Sequence, residues 1–165
     1  MTLRVVKVAL IFAVALYYSL VVFNNLTDYD SNYQFVRHVL MMDSTFPGNH
    51  GMWRALDAPA VHTLFYLAII AWEAAATALC WWGGIAMARS LREPPAVFHR
   101  AKRVAILGIA LGLLLWFSAF LTIGGEWFLM WQSKTSNGAD SAGRIFEATG
   151  IVLIFVSLAD ADDQP

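Results

Sequence analysis

Residues 62–88 read HTLFYLAIIAWEAAATALCWWGGIAMA, an apolar run that contains one carboxylate, Glu73. About 20 apolar residues cross the roughly 30 Å hydrocarbon core of a bilayer, so this run predicts a transmembrane helix. Glu73 falls near the middle of the run, where a charged side chain costs about 2.5–3.5 kcal/mol on insertion scales. An ionisable residue at that depth marks a candidate functional site.

The composition extends this prediction to the whole chain. The sequence has 165 residues, of which 59% are hydrophobic and only 14% are charged. That balance is too apolar for a soluble domain of this length, and it predicts a single membrane domain over residues 1–165. The only cysteine, Cys80, lies in an apolar run, so the sequence contains no disulfide framework and no cysteine-based metal motif.

Four apolar runs predict an all-α integral membrane protein, a bundle of four transmembrane helices. The runs cover residues 5–25, 62–88, 104–130 and 142–159. The first run follows Arg4 and Lys7 as a signal peptide would, but no small-residue cleavage pattern closes it, and we favour a retained helix. The fourth run is the weakest, because Arg144 and Glu147 in its first turns must lie near the interface or face the bundle.

The basic residues predict the orientation. Seven lie on the side of the two termini and the 89–103 loop, whereas four lie on the other side. The seven are Arg4, Lys7, Arg89, Arg92, Arg100, Lys102 and Arg103; the four are Arg37, Arg54, Lys134 and Arg144. By the positive-inside rule, both termini and the 89–103 loop are expected in the cytoplasm. The acidic tail from Asp160 onward is expected to be a short solvated end.

The outer loop, residues 26–61, is expected to contain a helix. Residues 31–42 read SNYQFVRHVLMM, in which apolar and polar positions alternate with a helical period after a Ser/Asn cap. Phe35, Val39 and Met42 share one face, so we expect an outward-facing helical cap between the first two spans. A turn at residues 46–49, Phe-Pro-Gly-Asn, is expected to end it.

Small residues indicate close helix packing. Gly108 and Gly112 form a GxxxG pattern on the third run, and Ala74 and Ala78 repeat the spacing on the second. We favour packing within one chain over dimerisation, because a small-residue match alone is weak evidence.

Two polar groups are the main candidate sites. Tyr66 and Thr77 lie seven and four residues from Glu73 and are predicted to hydrogen-bond its carboxyl group. We favour a protonated acid that joins two helices, with a proton or cation relay and a partner contact as alternatives. The second group is an outer charge cluster of Glu126, Arg144 and Glu147, with Arg37 and Arg54 available from the loop. Arg144 and Glu147 have the spacing of a helical ion pair, so mutual neutralisation is favoured over a substrate-recognising pocket.

Metal and cofactor signals are weak. His38, Met42, His50 and His62 are all predicted on the outward side, and imidazole with thioether suits copper. Methionine on a half-buried helix is more often a packing residue, so no metal is predicted. No cofactor is predicted either, although the deep tryptophans Trp72 and Trp116 leave a bound lipid or quinone open.

Several strings of this sequence carry a family resemblance. They are FNNLTDY from Phe23, SNYQFVRHVLMMDSTFP from Ser31, WRAL from Trp53, His62 with Glu73, and GGEWFLMWQS from Gly124. Together they resemble the bacterial family of predicted small integral membrane proteins with a domain of unknown function. The resemblance covers nearly the whole chain and implies a four-helix inner-membrane protein, but it implies no activity. One departure is KTSNG at residues 134–138, where the family pattern has Trp-Asn-Gly.

Two functions follow as hypotheses. The first is a small accessory or assembly subunit that packs against a larger membrane protein complex, since four spans with short cytoplasmic parts and no catalytic motif leave little room for a pathway of its own. The alternative is a small oligomeric transporter or ion-coupled permease that uses Glu73 and the outer charge cluster. No nucleophile–base pair supports an enzyme. The short basic loop is explained by topology, so nucleic acid is not expected as a partner.

Overall fold

The computed structural model describes residues 1–160, and all regular elements within them are helical. The helices are α1 (Thr2–Thr27), α2 (Tyr29–Met41), α3 (Pro59–Arg89), α4 (Pro95–Leu114) and α5 (Ala139–Ser157). A π-helical segment, Leu115–Trp127, continues α4 without a break. Short 3₁₀ turns cover Met52–Arg54 and Met130–Gln132.

Three of these helices are long and apolar enough to cross a membrane. They are α1, α3 and the continuous helix formed by α4 and the π-helical segment, Pro95–Trp127. The fourth predicted run is also helical, as α5, but its 19 residues include Asp140, Arg144 and Glu147, and it does not meet the same criterion.

The connections differ from the predicted loops in length. The helix break at Glu93 is present, but α4 already begins at Pro95, so residues 95–103 of the predicted 89–103 loop are helical. Proline suits the first helical position because its missing N–H would have no intrahelical partner there. In the outer loop, α2 ends at Met41 rather than at the 46–49 turn, because Met42 adopts a left-handed conformation with φ 54°.

Helices α3 and α4 approach so closely that only glycine fits between them. A Cβ atom added to Gly108 would lie 2.7 Å from the backbone nitrogen of Cys80, and one added to Gly83 would overlap the backbone of Ala105. Gly112, the other half of the GxxxG pattern, packs against the ring of Tyr18 on α1. The pattern therefore serves packing within the chain, as we expected.

Three buried charged residues meet at the end of the bundle that holds the N-terminus and the α3–α4 connection, here called the terminal end. Lys7 of α1 forms an ion pair with Asp160 at 2.6 Å, and Lys102 of α4 donates a hydrogen bond of 2.6 Å to the other oxygen of that carboxylate. All three side chains are at most 2% exposed. Both ammonium groups also donate to the backbone oxygen of Leu158.

This charge triad corrects two predictions. Asp160 was expected in a solvated tail, but it is buried where α1, α4 and the end of α5 meet; residues 161–165 of that tail lie outside the described residues. Lys102 was expected in a basic loop, but it is buried within α4. Desolvation makes a buried ion costly unless it is paired, so the Asp160 carboxylate stabilises the two ammonium groups and is stabilised by them only while the ions remain together.

Asp160 lies beyond the last helix, and its carboxyl titrates below the usual range. Burial raises the pKa of Asp160, but the hydrogen bonds and positive charges of Lys102 and Lys7 outweigh this and lower it. A depressed folded-state pKa contributes stability above the unfolded-state value of about 3.9, and this contribution is lost as the pH falls through the folded-state value.

The close contact between α3 and α4 predicts that replacing glycine with alanine has opposite effects on stability at Gly83 and at Gly143. Gly83→Ala should lower stability by about 1–3 kcal/mol, because the added methyl group overlaps the α4 backbone. Gly143→Ala on α5 meets no atom within 4 Å, so its higher helix propensity should stabilise by up to about 1 kcal/mol. Thermal unfolding in detergent measures both variants, and equal shifts would contradict the close α3–α4 contact.

The charge triad predicts a large loss of stability for Asp160→Asn. Removing one partner of a buried ion pair costs about 3–5 kcal/mol, since two buried ammonium groups would remain without a counter-ion. Asp57→Asn, at an exposed carboxylate, is the control. Unfolding should be measured from about pH 6 down to about pH 2, where only chains that retain Asp160 should lose the triad's contribution as the carboxylate is protonated. A variant as stable as the control would contradict the triad's role.

Candidate functional site

Glu73 lies on the inner face of α3 and is bound by a residue of another helix. Its side chain is buried, with 5% of the residue exposed. The side-chain nitrogen of Asn25, in the last turns of α1, donates a hydrogen bond of 2.7 Å to Oε2 of Glu73. The hydroxyl of Tyr66, two turns earlier on α3, donates to the backbone oxygen of Asn25 at 2.8 Å. Asn25 therefore connects Tyr66 with Glu73.

The predicted direct hydrogen bonds from Tyr66 and Thr77 to the carboxyl group are wrong. Tyr66 reaches Glu73 only through Asn25, and the hydroxyl of Thr77 donates to the backbone oxygen of Glu73 within α3, at 2.7 Å. Thr77 is occupied because a helical threonine readily bonds the carbonyl four residues earlier. The sequence signal for the true partner was the amide pair Asn24-Asn25 at the end of the first apolar run.

A cavity of about 250 Å³ opens beside Glu73. Four segments line it: α1, α2, α3 and the π-helical segment. The lining residues are Val21, Asn25, Asn32, Phe35, Val36, Tyr66, Ile69, Glu73, Trp116 and Phe120. Oε1 of Glu73 accepts no hydrogen bond from any residue in the described part of the chain, although Glu73 itself lines this space. One carboxylate oxygen is therefore available to a group in the cavity.

The π-helical segment forms one wall of this cavity. Its wider turn is visible in two bonds that span five residues, from the hydroxyl of Thr122 to the oxygen of Phe117 and from the nitrogen of Phe128 to the oxygen of Ile123. Trp116 and Phe120 lie on its inner face, with ring centroids 4.7 Å apart. Short π-helical stretches inside α-helices are frequently associated with functional sites.

A second, apolar chamber adjoins the first. Its volume is about 70 Å³, and it shares Phe35, Val36, Ile69 and Phe120 with the cavity beside Glu73. Its remaining lining is apolar and includes Val39, Leu40, Phe65 and Phe128. The two chambers together form a polar pocket with an apolar extension under α2.

The structure does not bring the outer charge cluster together. Arg54 donates to the backbone oxygens of Trp127 and Glu126, at 3.0 and 3.4 Å, rather than to a carboxylate. Arg37 bonds the side chain of Gln34 on its own helix. Within residues 1–160, no ion pair joins any of the five members of the predicted cluster.

Arg144 and Glu147 are exposed on α5, and the ion pair predicted between them is not formed. Arg144 instead lines an open groove of about 320 Å³ between α1 and α5. The other lining is mainly apolar: Leu10, Ala13, Val14, Tyr17, Ile145, Ala148, Thr149 and Val152. Both charges thus lie on the outer surface of a helix that packs against the apolar bundle.

The weak metal candidates are dispersed. His38 pairs with Asp43 at 2.7 Å, Met42 is packed against Leu40 and Phe128, and the imidazole of His62 lies 2.8 Å from the backbone oxygen of Leu56. No group of three or more His, Cys, Asp or Glu side chains in the described residues is arranged to hold a metal ion.

The long apolar helices and the polar site buried among them define an all-helical integral membrane protein. Residues 3–159 match the family described as predicted small integral membrane protein (DUF2165), and the chain belongs to this family. The family description names no activity. No curated protein and no solved structure matches the chain.

Proposed function

We propose that this protein is a small accessory or assembly subunit that packs against a larger membrane protein complex through α5 and the adjoining groove. The observation that carries the proposal is the exposure of Arg144 and Glu147. Neither side chain has an ionic partner among residues 1–160. In a membrane, a charged side chain on the lipid-facing surface is costly, and such residues usually pair with one another or with a partner.

The groove between α1 and α5 also favours docking on this face of α5. Its volume of about 320 Å³ accommodates side chains of a neighbouring helix, and Arg144 lies at its edge. Ile151 and Ile154 continue the exposed surface of α5, with 68% and 66% exposure. Exposed apolar residues are ordinary in lipid, so the docking proposal relies on the two charges rather than on the apolar area.

The proposal includes a topology. We infer that α5 is a fourth span and that α2 forms a cap on the outward side of a bacterial inner membrane, with both termini in the cytoplasm. The support is the excess of basic residues at the terminal end, seven against four. The sequence contains no nucleophile–base pair, so we propose no catalytic activity.

A second candidate is a small oligomeric transporter or ion-coupled permease. The observation in its favour is Glu73, a buried carboxylate with one oxygen available to a cavity. Carboxylates in this setting serve as proton or ion sites in transport proteins. The coupling proton or ion would bind at Oε1 of Glu73, while Asn25 holds Oε2 in place.

The docking proposal predicts cross-links that are confined to α5. A photoreactive p-benzoylphenylalanine in place of Ile151 should cross-link in native membranes to one defined larger membrane protein. The same residue in place of Leu107, which is 60% exposed on α4, should cross-link to lipid only. Arg144→Glu should remove the Ile151 product, because it places the wrong charge at the interface.

Three results would count against docking on another protein. They are equal products at the two positions, persistence of the Ile151 product in Arg144→Glu, and a product that contains only a second copy of this chain. The last result would favour the oligomeric transporter.

The transporter candidate predicts the behaviour of Glu73→Gln. This variant keeps the size and polarity of the side chain but cannot release a proton, so ion-dependent flux into liposomes should be abolished while the protein stays folded. Asp57→Asn, at an exposed carboxylate outside both the cavity and the predicted charge cluster, should leave the flux unchanged. Normal flux in Glu73→Gln would exclude Glu73 as the coupling site.

A further inference from the structure

The cavity beside Glu73 has the chemistry of a binding site for a cation. Its only formally charged residue is Glu73, and no lysine, arginine or histidine side chain in the described part of the chain lies within ion-pair distance of that carboxylate. Only 5% of the Glu73 residue is exposed, and its Oε1 accepts no hydrogen bond from the described residues. A positively charged guest would neutralise it at this position.

The remaining lining selects an organic cation over a metal ion. A calcium ion takes about 6–8 oxygen ligands, whereas most of the ten lining residues present carbon. Four of them are aromatic: Phe35, Tyr66, Trp116 and Phe120. Aromatic faces attract ammonium groups, most strongly where water is excluded. The carboxylate and the aromatic rings therefore both favour an organic ammonium group as the ligand.

The size and shape of the space limit the ligand further. About 250 Å³ is below the range of roughly 300–1,000 Å³ that drug-sized ligands occupy, so the polar chamber suits a small head group. The adjoining apolar chamber of about 70 Å³ would receive a short hydrocarbon substituent. Asn25 is already engaged with Oε2, which holds the carboxylate in one orientation.

We propose that this cavity binds an organic ammonium group, with Glu73 as its counter-ion and the aromatic residues of α2, α3 and the π-helical segment around it. The ammonium group belongs either to a lipid head group or to a free amphipathic amine. The site lies apart from the α5 groove, so it stands or falls independently of the docking proposal.

The test uses the full chain in nanodiscs made of phosphatidylglycerol, which carries no ammonium group. The probe is benzyltrimethylammonium, and neopentylbenzene is its neutral carbon isostere. Calorimetric titration should show saturable binding of the cation and none of the isostere. Glu73→Gln should weaken binding at least about tenfold, because it removes the charged partner of the ammonium group. Glu126→Gln, outside the cavity, is the matched control.

A second pair of variants tests the cavity without changing its charge. Ile69→Trp should abolish binding, because Ile69 lines both chambers and the larger side chain fills them. Leu67→Trp places the same residue on an exposed position of α3 and should have no effect. This pair remains informative if Glu73→Gln does not fold.

The lipid composition distinguishes the two sources of the ammonium group. If phosphatidylethanolamine in the nanodisc competes with the probe, the natural ligand is a lipid head group; if it does not, the site takes free amines. Equal binding of cation and isostere would overturn the proposal. So would unchanged binding in both Glu73→Gln and Ile69→Trp, or binding of a quinone analogue that displaces the cation and is unaffected by Glu73→Gln.

Discussion

The carboxylate of Asp160, shared by Lys7 and Lys102, is the interaction on which the arrangement of the bundle depends. Lipid tails are as apolar as leucine, so apolar side chains alone do not drive membrane helices together. The triad joins three parts of the chain that are far apart in sequence, and its buried ions are stable only while they are paired. It therefore sets the relative depth of α1, α4 and the end of α5, and the glycine contacts between α3 and α4 then allow close packing.

The charged residues of the bundle differ in how far the chain itself satisfies them. At the terminal end, Asp160 has two cationic partners within the chain. In the middle, Glu73 has one neutral partner, Asn25, and one free oxygen beside a cavity. On α5, Arg144 has no ionic partner in the described residues and lines an open groove. The ionic partners supplied by the chain thus decrease from Asp160 to Glu73 and Arg144, and a charge in an apolar medium favours a partner from another source where the chain supplies none.

Sequence reasoning predicted the helices well but the polar contacts poorly. Hydropathy located all the long helices and the helical period located α2, because both signals are local. The predicted Ser/Asn cap was wrong, since α2 begins at Tyr29 and includes Ser31. The candidate site was predicted at Glu73 and Tyr66, since an acidic residue in an apolar run and a tyrosine two turns from it are visible in one stretch of sequence. The partner of Glu73, Asn25, is 48 residues away in the sequence, so no local pattern indicates the contact. The prediction of the outer charge cluster was wrong because equal depth on neighbouring helices does not place two side chains face to face.

The sequence by itself determined that this is a helical membrane protein, which runs of its chain are apolar helices, and that Glu73 is buried among them. Only the tertiary structure decided that Asp160 closes a charge triad, that Asn25 binds Glu73 and that α5 turns its charges outward. The physical reason is that burial follows from the polarity of neighbouring residues, whereas pairing depends on the rotation and depth of each helix. Those are set by side-chain packing between segments that are distant in the chain.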